Sequence, residues 1–141
     1  MRFWDTSAVV TLLVLEPATP AARRLARADP SLVVWWATRT ECLSALARRR
    51  RDGHLGARDE KRTRRALAVL AAEWSEVLPS EPLRQRSERL LAVHPLRAAD
   101  AFQLAAALLW SRGETTDHVV VSFDERLREA ARREGFGVVP D

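Results

Sequence analysis

The sequence predicts an α/β domain with a parallel β-sheet and helices on both of its faces. Short apolar or β-branched runs alternate with helical patterns along the 141 residues, which is typical of strand–helix–strand crossovers. The apolar run that opens the chain ends at Asp5, and Thr6 and Ser7 follow where a helical pattern begins. An acid at this position indicates a strand whose C-terminal end delivers a carboxylate to the ligand crevice of an open sheet.

Each strand is predicted from a run of β-branched or aromatic residues that ends at a turn. The predicted strands are residues 2–4, 32–36, 76–78, 118–122 and 137–140. Helices are predicted from apolar periodicity and from flanking residues such as Pro20 and Gly135. The predicted helices are residues 8–15, 20–28, 37–51, 57–74, 81–93, 96–110 and 125–134. We expect Ser7 to cap the first helix, and the absence of repeats or linkers predicts one domain over residues 1–141.

Composition indicates a cytoplasmic protein without a membrane segment. No apolar run is long enough to cross a bilayer, and the N-terminus lacks the features of a signal peptide. Cys42 is the single cysteine, so no intramolecular disulfide can form. The net charge of +4 comes almost entirely from arginine, with Lys61 the only lysine. A basic balance is compatible with a nucleic-acid partner and equally with the amino-acid usage of a GC-rich genome.

Four acids are expected at one edge of the sheet. Asp5 and Asp124 follow strands, whereas Glu41 and Asp100 fall in the first turns of helices. In this architecture helix N-termini lie at the same edge as strand C-termini. Clustered carboxylates raise one another's pKa values unless a cation is present. A divalent ion that prefers oxygen ligands, Mg²⁺ or Mn²⁺, resolves that repulsion and suits phosphodiester hydrolysis.

Each acid also has a simpler interpretation. The helix dipole favours acids in a first turn, so Glu41 and Asp100 are equally explained as helix starters. Asp124 is equally explained as the cap of the last helix. Asp5 is the hardest to explain without a partner, because an acid that ends a buried strand costs free energy. No histidine or cysteine lies beside these acids at metal-ligand spacing, which argues against zinc.

Four segments that contain these acids resemble the PIN domain, and more narrowly the VapC-type toxins of bacterial toxin–antitoxin pairs. They are Phe3-Trp4-Asp5-Thr6-Ser7-Ala8, Thr40-Glu41, Leu96 to Ala105 and Val121 to Leu127. The resemblance covers the whole chain. It implies a parallel five-stranded sheet in the order 3-2-1-4-5, which makes the first strand central.

The resemblance also implies a Mg²⁺- or Mn²⁺-dependent endoribonuclease that a VapB-like antitoxin holds inactive, and a homodimer. The family's acidic quartet matches Asp5, Glu41, Asp100 and Asp124, which would be both the catalytic residues and the metal ligands. Ser122 stands where many members have threonine. Gln103 stands where many have histidine, and we assign it no role.

Four further side chains are expected near the acids, each with a second interpretation. Thr6 and Ser7 are candidates for hydrogen bonds to Asp5 or to phosphate, and the Ser122 hydroxyl is a candidate for a supporting hydrogen bond at the acidic site. Arg97 precedes Asp100 by three residues, and it is a candidate either for binding substrate phosphate or for pairing with an acid. The arginines 48–51 are a candidate RNA-contacting patch, although cations at a helix C-terminus also complement the dipole.

Two other functions are compatible with the sequence. One is a non-catalytic module that binds RNA or a protein partner. The other is a receiver or phosphohydrolase with an acidic Mg²⁺ pocket; receivers need a lysine beside the pocket, and Lys61 lies in a basic helix. Cleavage of RNA in the presence of Mg²⁺ would distinguish an endoribonuclease from both of these alternatives.

Overall fold

The computed structural model describes residues 1–141, and its strands form one parallel sheet. The strands are β1 (Arg2–Trp4), β2 (Leu32–Trp35), β3 (Ser75–Val77), β4 (Val119–Val121) and β5 (Gly137–Val139). The helices are α1 (Thr6–Leu13), α2 (Thr19–Ala28), α3 (Thr38–Arg51), α4 (Ala57–Glu73), α5 (Glu81–Val93), α6 (Ala98–Trp110) and α7 (Glu125–Arg133). All neighbouring strands pair in parallel in the order β3-β2-β1-β4-β5. The predicted fold is confirmed, with β1 at the centre.

Helices cover both faces of the sheet because side chains alternate along each strand. Phe3 and Val33 belong to one buried cluster, which also contains side chains of α5, α6 and α7. Trp4 and Val34 belong to a second cluster with side chains of α1 to α4. The β1 backbone therefore lies between two apolar layers, and its C-terminal end opens toward the edge of the sheet. No helix has the length and apolar character needed to cross a membrane.

Helix α1 ends at Leu13, two residues before the predicted end. The Thr19 hydroxyl lies 2.8 Å from the carbonyl oxygens of Thr11 and Val14, and it accepts a hydrogen bond of 2.9 Å from the Glu16 N–H. These contacts satisfy carbonyl groups that the helix leaves free at its C-terminus. A buried side chain from α2 therefore decides where α1 stops.

The cap of α1 differs from the prediction. Asp5 is the N-cap residue, because its Oδ1 accepts a hydrogen bond of 2.9 Å from the Ala8 N–H. The predicted cap, Ser7, lies inside the first turn and donates to the Asp5 carboxylate instead. The prediction was wrong because a serine is a common cap in isolation, whereas here the helix begins two residues earlier than predicted and Asp5 takes the cap position.

Candidate active site

The Asp5 carboxylate lies at the C-terminal end of the central strand with only 3% of the residue exposed. The Ser7 hydroxyl is 2.7 Å from Oδ1 and 2.9 Å from Oδ2, and the Ser122 hydroxyl donates to Oδ2 at 2.8 Å. With the Ala8 N–H, three donors from β1–α1 and the end of β4 converge on one acid. Asp5 is therefore held in a fixed position by its neighbours.

The two serine hydroxyls also connect Asp5 to the loop after β4. The Phe123 N–H donates to Ser7 Oγ at 2.9 Å, and the Asp124 N–H donates to Ser122 Oγ at 3.1 Å. The buried Arg128 guanidinium donates to the Ser122 carbonyl at 2.8 Å. This network places the loop that carries Asp124 directly beside the end of β1.

Burial raises the pKa of Asp5 to about 6, because the charged carboxylate loses its hydration. Hydrogen bonds from Ser7, Ala8 and Ser122 lower the pKa in part, and the nearby negative charge of Asp124 raises it further. Asp124 itself caps α7, since its Oδ1 accepts a hydrogen bond of 2.9 Å from the Leu127 N–H. The capping role considered for Asp124 is therefore present, and it coexists with proximity to Asp5.

Glu41 lies in the first turn of α3, as predicted, and its carboxylate faces α1 and α6. The Thr6 hydroxyl donates to Glu41 Oε2, and the Gln103 amide nitrogen donates to the same oxygen at 2.8 Å. A residue that merely started a helix would need neither contact. Thr6 therefore contacts Glu41 rather than Asp5, the acid with which it was predicted to bond.

Asp100 lies in the first turn of α6 and lines an open cleft of about 580 Å³. The residues around this cleft are Arg97, Ala99, Asp100, Asp124, Glu125 and Arg126. Partial burial raises the pKa of Asp100, and the negative charges of Asp124 and Glu41 raise it further, while a hydrogen bond from the Arg97 backbone N–H and the charge of Arg97 lower it in part. Asp100 thus responds electrostatically to acids from two other elements.

The structure brings the four acids to one edge of the sheet, but it does not arrange them as a finished ligand set. None of the four carboxylates takes part in a salt bridge. No three histidine, cysteine, aspartate or glutamate side chains form a group ready to hold a metal ion. Asp5 accepts hydrogen bonds from the two serines, whereas Glu41 accepts hydrogen bonds from Thr6 and Gln103. The four carboxylates are nevertheless the residues that could hold a divalent cation.

Cys42 is close to the acids but is no candidate ligand. It is buried, and the loss of hydration raises the pKa of its thiol to about 12, with further contributions from the charges of Glu41 and Asp5. A thiol with this pKa stays protonated at neutral pH, whereas metal ligands must be thiolates. The candidate metal ligands are therefore the carboxylates alone, without a thiolate among them.

Two functional candidates were not recognised in the sequence. Arg126 lies in the first turn of α7 and lines the acidic cleft together with Arg97; neither guanidinium forms a salt bridge. Its position two residues after Asp124 was the available signal. Gln103, which had no assigned role, contacts Glu41 directly. It was visible as the one polar residue of its helix after Asp100.

The arginines 48–51 form the last turn of α3, at the opposite end of that helix from Glu41. Arg49 lies 3.6 Å from Glu16, and Arg50 lies 3.6 Å from Glu60. A helix rises about 1.5 Å per residue, so this turn lies on the order of 10–15 Å along the axis from Glu41. These observations favour a solvated helix end over a contact at the reacting phosphate.

The sheet order and the acids at its edge define a five-stranded α/β domain with an acidic crevice. This chain belongs to the PIN domain family, whose model matches residues 2–133. A comparison with curated proteins gave no match.

Solved structures share this fold at low sequence identity. One is a toxin–antitoxin complex from Klebsiella pneumoniae, with 20% identity, a TM-score of 0.67, and coverage of 99% of this chain and 97% of that chain. Another is the Mycobacterium tuberculosis toxin VapC20, described as cleaving the sarcin–ricin loop, with 19% identity, a TM-score of 0.68, and coverage of 92% and 95%. A third is FitAcB from Neisseria gonorrhoeae, with 16% identity, a TM-score of 0.69, and coverage of 99% and 97%. The likeness extends over nearly the whole length of each chain.

Proposed function

We propose that this chain is a Mg²⁺- or Mn²⁺-dependent endoribonuclease and the toxin of a VapBC-type toxin–antitoxin pair. The observation that carries the proposal is the collection of four carboxylates, none of them paired with a cation of the chain, at one edge of a PIN-domain sheet. Support for the toxin role comes from the fold likeness to proteins described as toxins or toxin–antitoxin complexes. An antitoxin partner, a homodimer and a cytoplasmic location belong to the same proposal.

The donor set suits a divalent cation that prefers oxygen. The raised pKa values of Asp5 and Asp100 come from burial together with the charge of neighbouring acids, and a bound cation would remove that penalty. Asp5, Glu41, Asp100 and Asp124 are the residues that would hold it. When bound, Mg²⁺ or Mn²⁺ would supply an activated water and charge stabilisation at the phosphate.

The remaining roles fall to side chains around the cleft. Arg97 and Arg126 would bind the non-bridging phosphate oxygens and orient the RNA backbone across the cleft. Asp100 or Asp124 would accept the proton of the attacking water, because both face the cleft rather than the core. Ser7 and Ser122 would keep Asp5 in place through the hydrogen bonds described above.

The assay that tests the proposal measures RNA cleavage with Mg²⁺, with EDTA, and in the variants Asp5→Asn and Asp100→Asn. We expect EDTA and each substitution to lower the cleavage rate by about a hundredfold or more, as for the loss of a metal or a general base. Asp59→Asn is the matched control, since this acid is exposed and pairs with Arg62 on α4. Cleavage that persists in both site variants would contradict the mechanism.

The same assay addresses the two other functions. RNA that is bound but not cut would favour a non-catalytic module. A receiver would need a lysine beside the acids, but Lys61 lies in α4 next to Arg58, Arg62 and Arg65, around a separate cleft. The position of Lys61 therefore does not support a receiver function.

A further inference from the structure

Gln103 is a buried amide in a helix that is otherwise largely apolar. Only 2% of the residue is exposed, and its neighbours from Leu104 to Leu108 are buried aliphatic side chains. A buried amide costs free energy unless its polar atoms find partners. Its presence therefore calls for an interaction that an apolar residue could not make.

The amide nitrogen of Gln103 joins three elements at the acid edge. Nε2 lies 2.8 Å from Thr6 Oγ1, 2.8 Å from Glu41 Oε2 and 3.1 Å from Thr38 Oγ1. Thr6 also donates to the same Glu41 oxygen. Glu41 Oε2 thus accepts hydrogen bonds from a side chain of α1 and from a side chain of α6.

The other end of the amide has no partner. Gln103 Oε1 is buried without a hydrogen bond, which is the arrangement that stability alone would avoid. Rotating the amide by 180° would instead place Oε1 against the Glu41 carboxylate, so that two acceptors would face each other. The contact with the Glu41 carboxylate therefore determines the orientation of the amide, and the orphaned carbonyl is its consequence.

We propose that Gln103 is a positioning residue, which together with Thr6 holds the Glu41 carboxylate at the edge where the acids gather. Its role is to aim an oxygen of Glu41 rather than to touch the RNA. The inference rests on the proposed cation site, and it concerns side chains of α1, α3 and α6 that hold one ligand in place. Groups that orient a metal ligand in this way commonly change metal affinity or activity by about 10- to 100-fold when they are removed.

The test compares Gln103→Met with the wild type in two measurements. Methionine keeps the length of the side chain but removes both the donor and the orphaned carbonyl. We expect the metal-free stability to urea to be unchanged or higher, and the Mn²⁺ dissociation constant, measured by calorimetry without RNA, to rise about tenfold or more. RNA cleavage should fall by a similar factor. Gln85→Met, an exposed glutamine on α5, is the matched control for the substitution itself.

Two further variants separate positioning from packing. Gln103→His restores a ring N–H donor, and we expect it to recover part of the Mn²⁺ affinity. In the double variant Glu41→Gln/Gln103→Met, loss of Gln103 should add nothing to the loss caused by Glu41→Gln, because both act through one carboxylate. Additive losses in that cycle would overturn the proposal.

The outcomes for Gln103 and for the proposed ribonuclease are distinguishable. If Gln103→Met binds Mn²⁺ and cleaves RNA as the wild type does, the Gln103 inference is wrong and the ribonuclease stands. A wild type that binds Mn²⁺ without cutting RNA would contradict the ribonuclease, while the Mn²⁺ comparison would still decide the role of Gln103. A Gln103→Met variant that is less stable or fails to fold would show a structural role and overturn the inference.

Discussion

At the residue scale, the buried Asp5 carboxylate makes the stability of the protein depend on pH in the mildly acidic range. Its folded pKa of about 6 lies above the ordinary value of 3.8, chiefly because burial removes hydration. The folded state therefore holds a proton that the unfolded state releases between pH 3.8 and about 6. The contribution of Asp5 to the free energy of unfolding therefore falls as the pH rises through that window, and it stays low at higher pH.

Asp5→Asn should consequently stabilise the metal-free protein at pH 7.5. A difference of about 2 between folded and unfolded pKa values corresponds to at most about 3 kcal/mol, and asparagine can still accept from the Ala8 N–H. Urea unfolding in EDTA at pH 7.5 and at pH 3.5 measures the effect, which should be large at the higher pH and small at the lower one. Adding Mg²⁺ should then raise the stability of the wild type but not of the variant.

The control for this prediction is Asp59→Asn, which should change stability by no more than about 1 kcal/mol at either pH because its ion pair is exposed. An Asp5→Asn protein that is less stable than the wild type at pH 7.5 would show that the hydrogen bonds from Ser7 and Ser122 outweigh the cost of burying the charge.

At the element scale, Glu134 joins the C-terminal ends of α5 and α7. Its carboxylate accepts hydrogen bonds from Arg89 at 2.9 Å and contacts His94 Nε2 at 2.7 Å. Burial is the largest single influence and raises its pKa, but the hydrogen bonds and charges of Arg89 and His94 together lower the pKa below 4.5. The stabilising contribution is therefore fully present above pH 4.5 and is lost as pH falls through the folded pKa.

We expect Glu134→Gln to reduce the free energy of unfolding at pH 7 by about 1–3 kcal/mol, the range for a partly buried, charge-assisted hydrogen bond. The deficit should shrink as the pH drops below 4.5. Glu129→Gln on the same helix, where the ion pair with Arg133 is exposed, should cost much less. Chemical denaturation at several pH values from 3 to 7 measures the free energy of unfolding of both variants. Equal losses in Glu134→Gln and Glu129→Gln would argue against the role of Glu134 as a link between the two helices.

At the scale of the whole molecule, the N-terminal ends of α6 and α7 place Arg97 and Arg126, neither in a salt bridge, around the acidic cleft. If RNA crosses this cleft, Arg126→Ala should reduce the dependence of log affinity on log salt by about 0.7, the value for one phosphate contact on a single strand. Binding would be measured by fluorescence anisotropy over a salt series in the Asp100→Asn background, in which the proposed function predicts that RNA stays uncut. Arg133→Ala, at the other end of α7, should leave the slope unchanged; a slope unaffected by Arg126→Ala would remove this arginine from the RNA path.

Much of the fold was predictable because its signals are local. Alternating strands and helices, an acid after β1 and acids in the first turns of α3 and α6 were all readable along the chain, and the family resemblance supplied the strand order. The end of α1 was misplaced because it depends on Thr19, a residue of the next helix. The cap of α1 was misassigned because both Asp5 and Ser7 are suitable cap residues by type. Only the backbone conformation, which begins the helix at Thr6, shows that Asp5 is the cap.

The sequence by itself determined the fold class and the identity of the four acids, since periodicity and residue type are properties of the chain. Only the tertiary structure decided what surrounds each acid. It placed the hydroxyl of Ser122 on Asp5, the amide of Gln103 on Glu41, and Arg126 beside Asp100. These partners lie from 26 to 117 positions apart in the chain, and only the packing of helices on a shared sheet brings such distant side chains within hydrogen-bonding range or around one cleft.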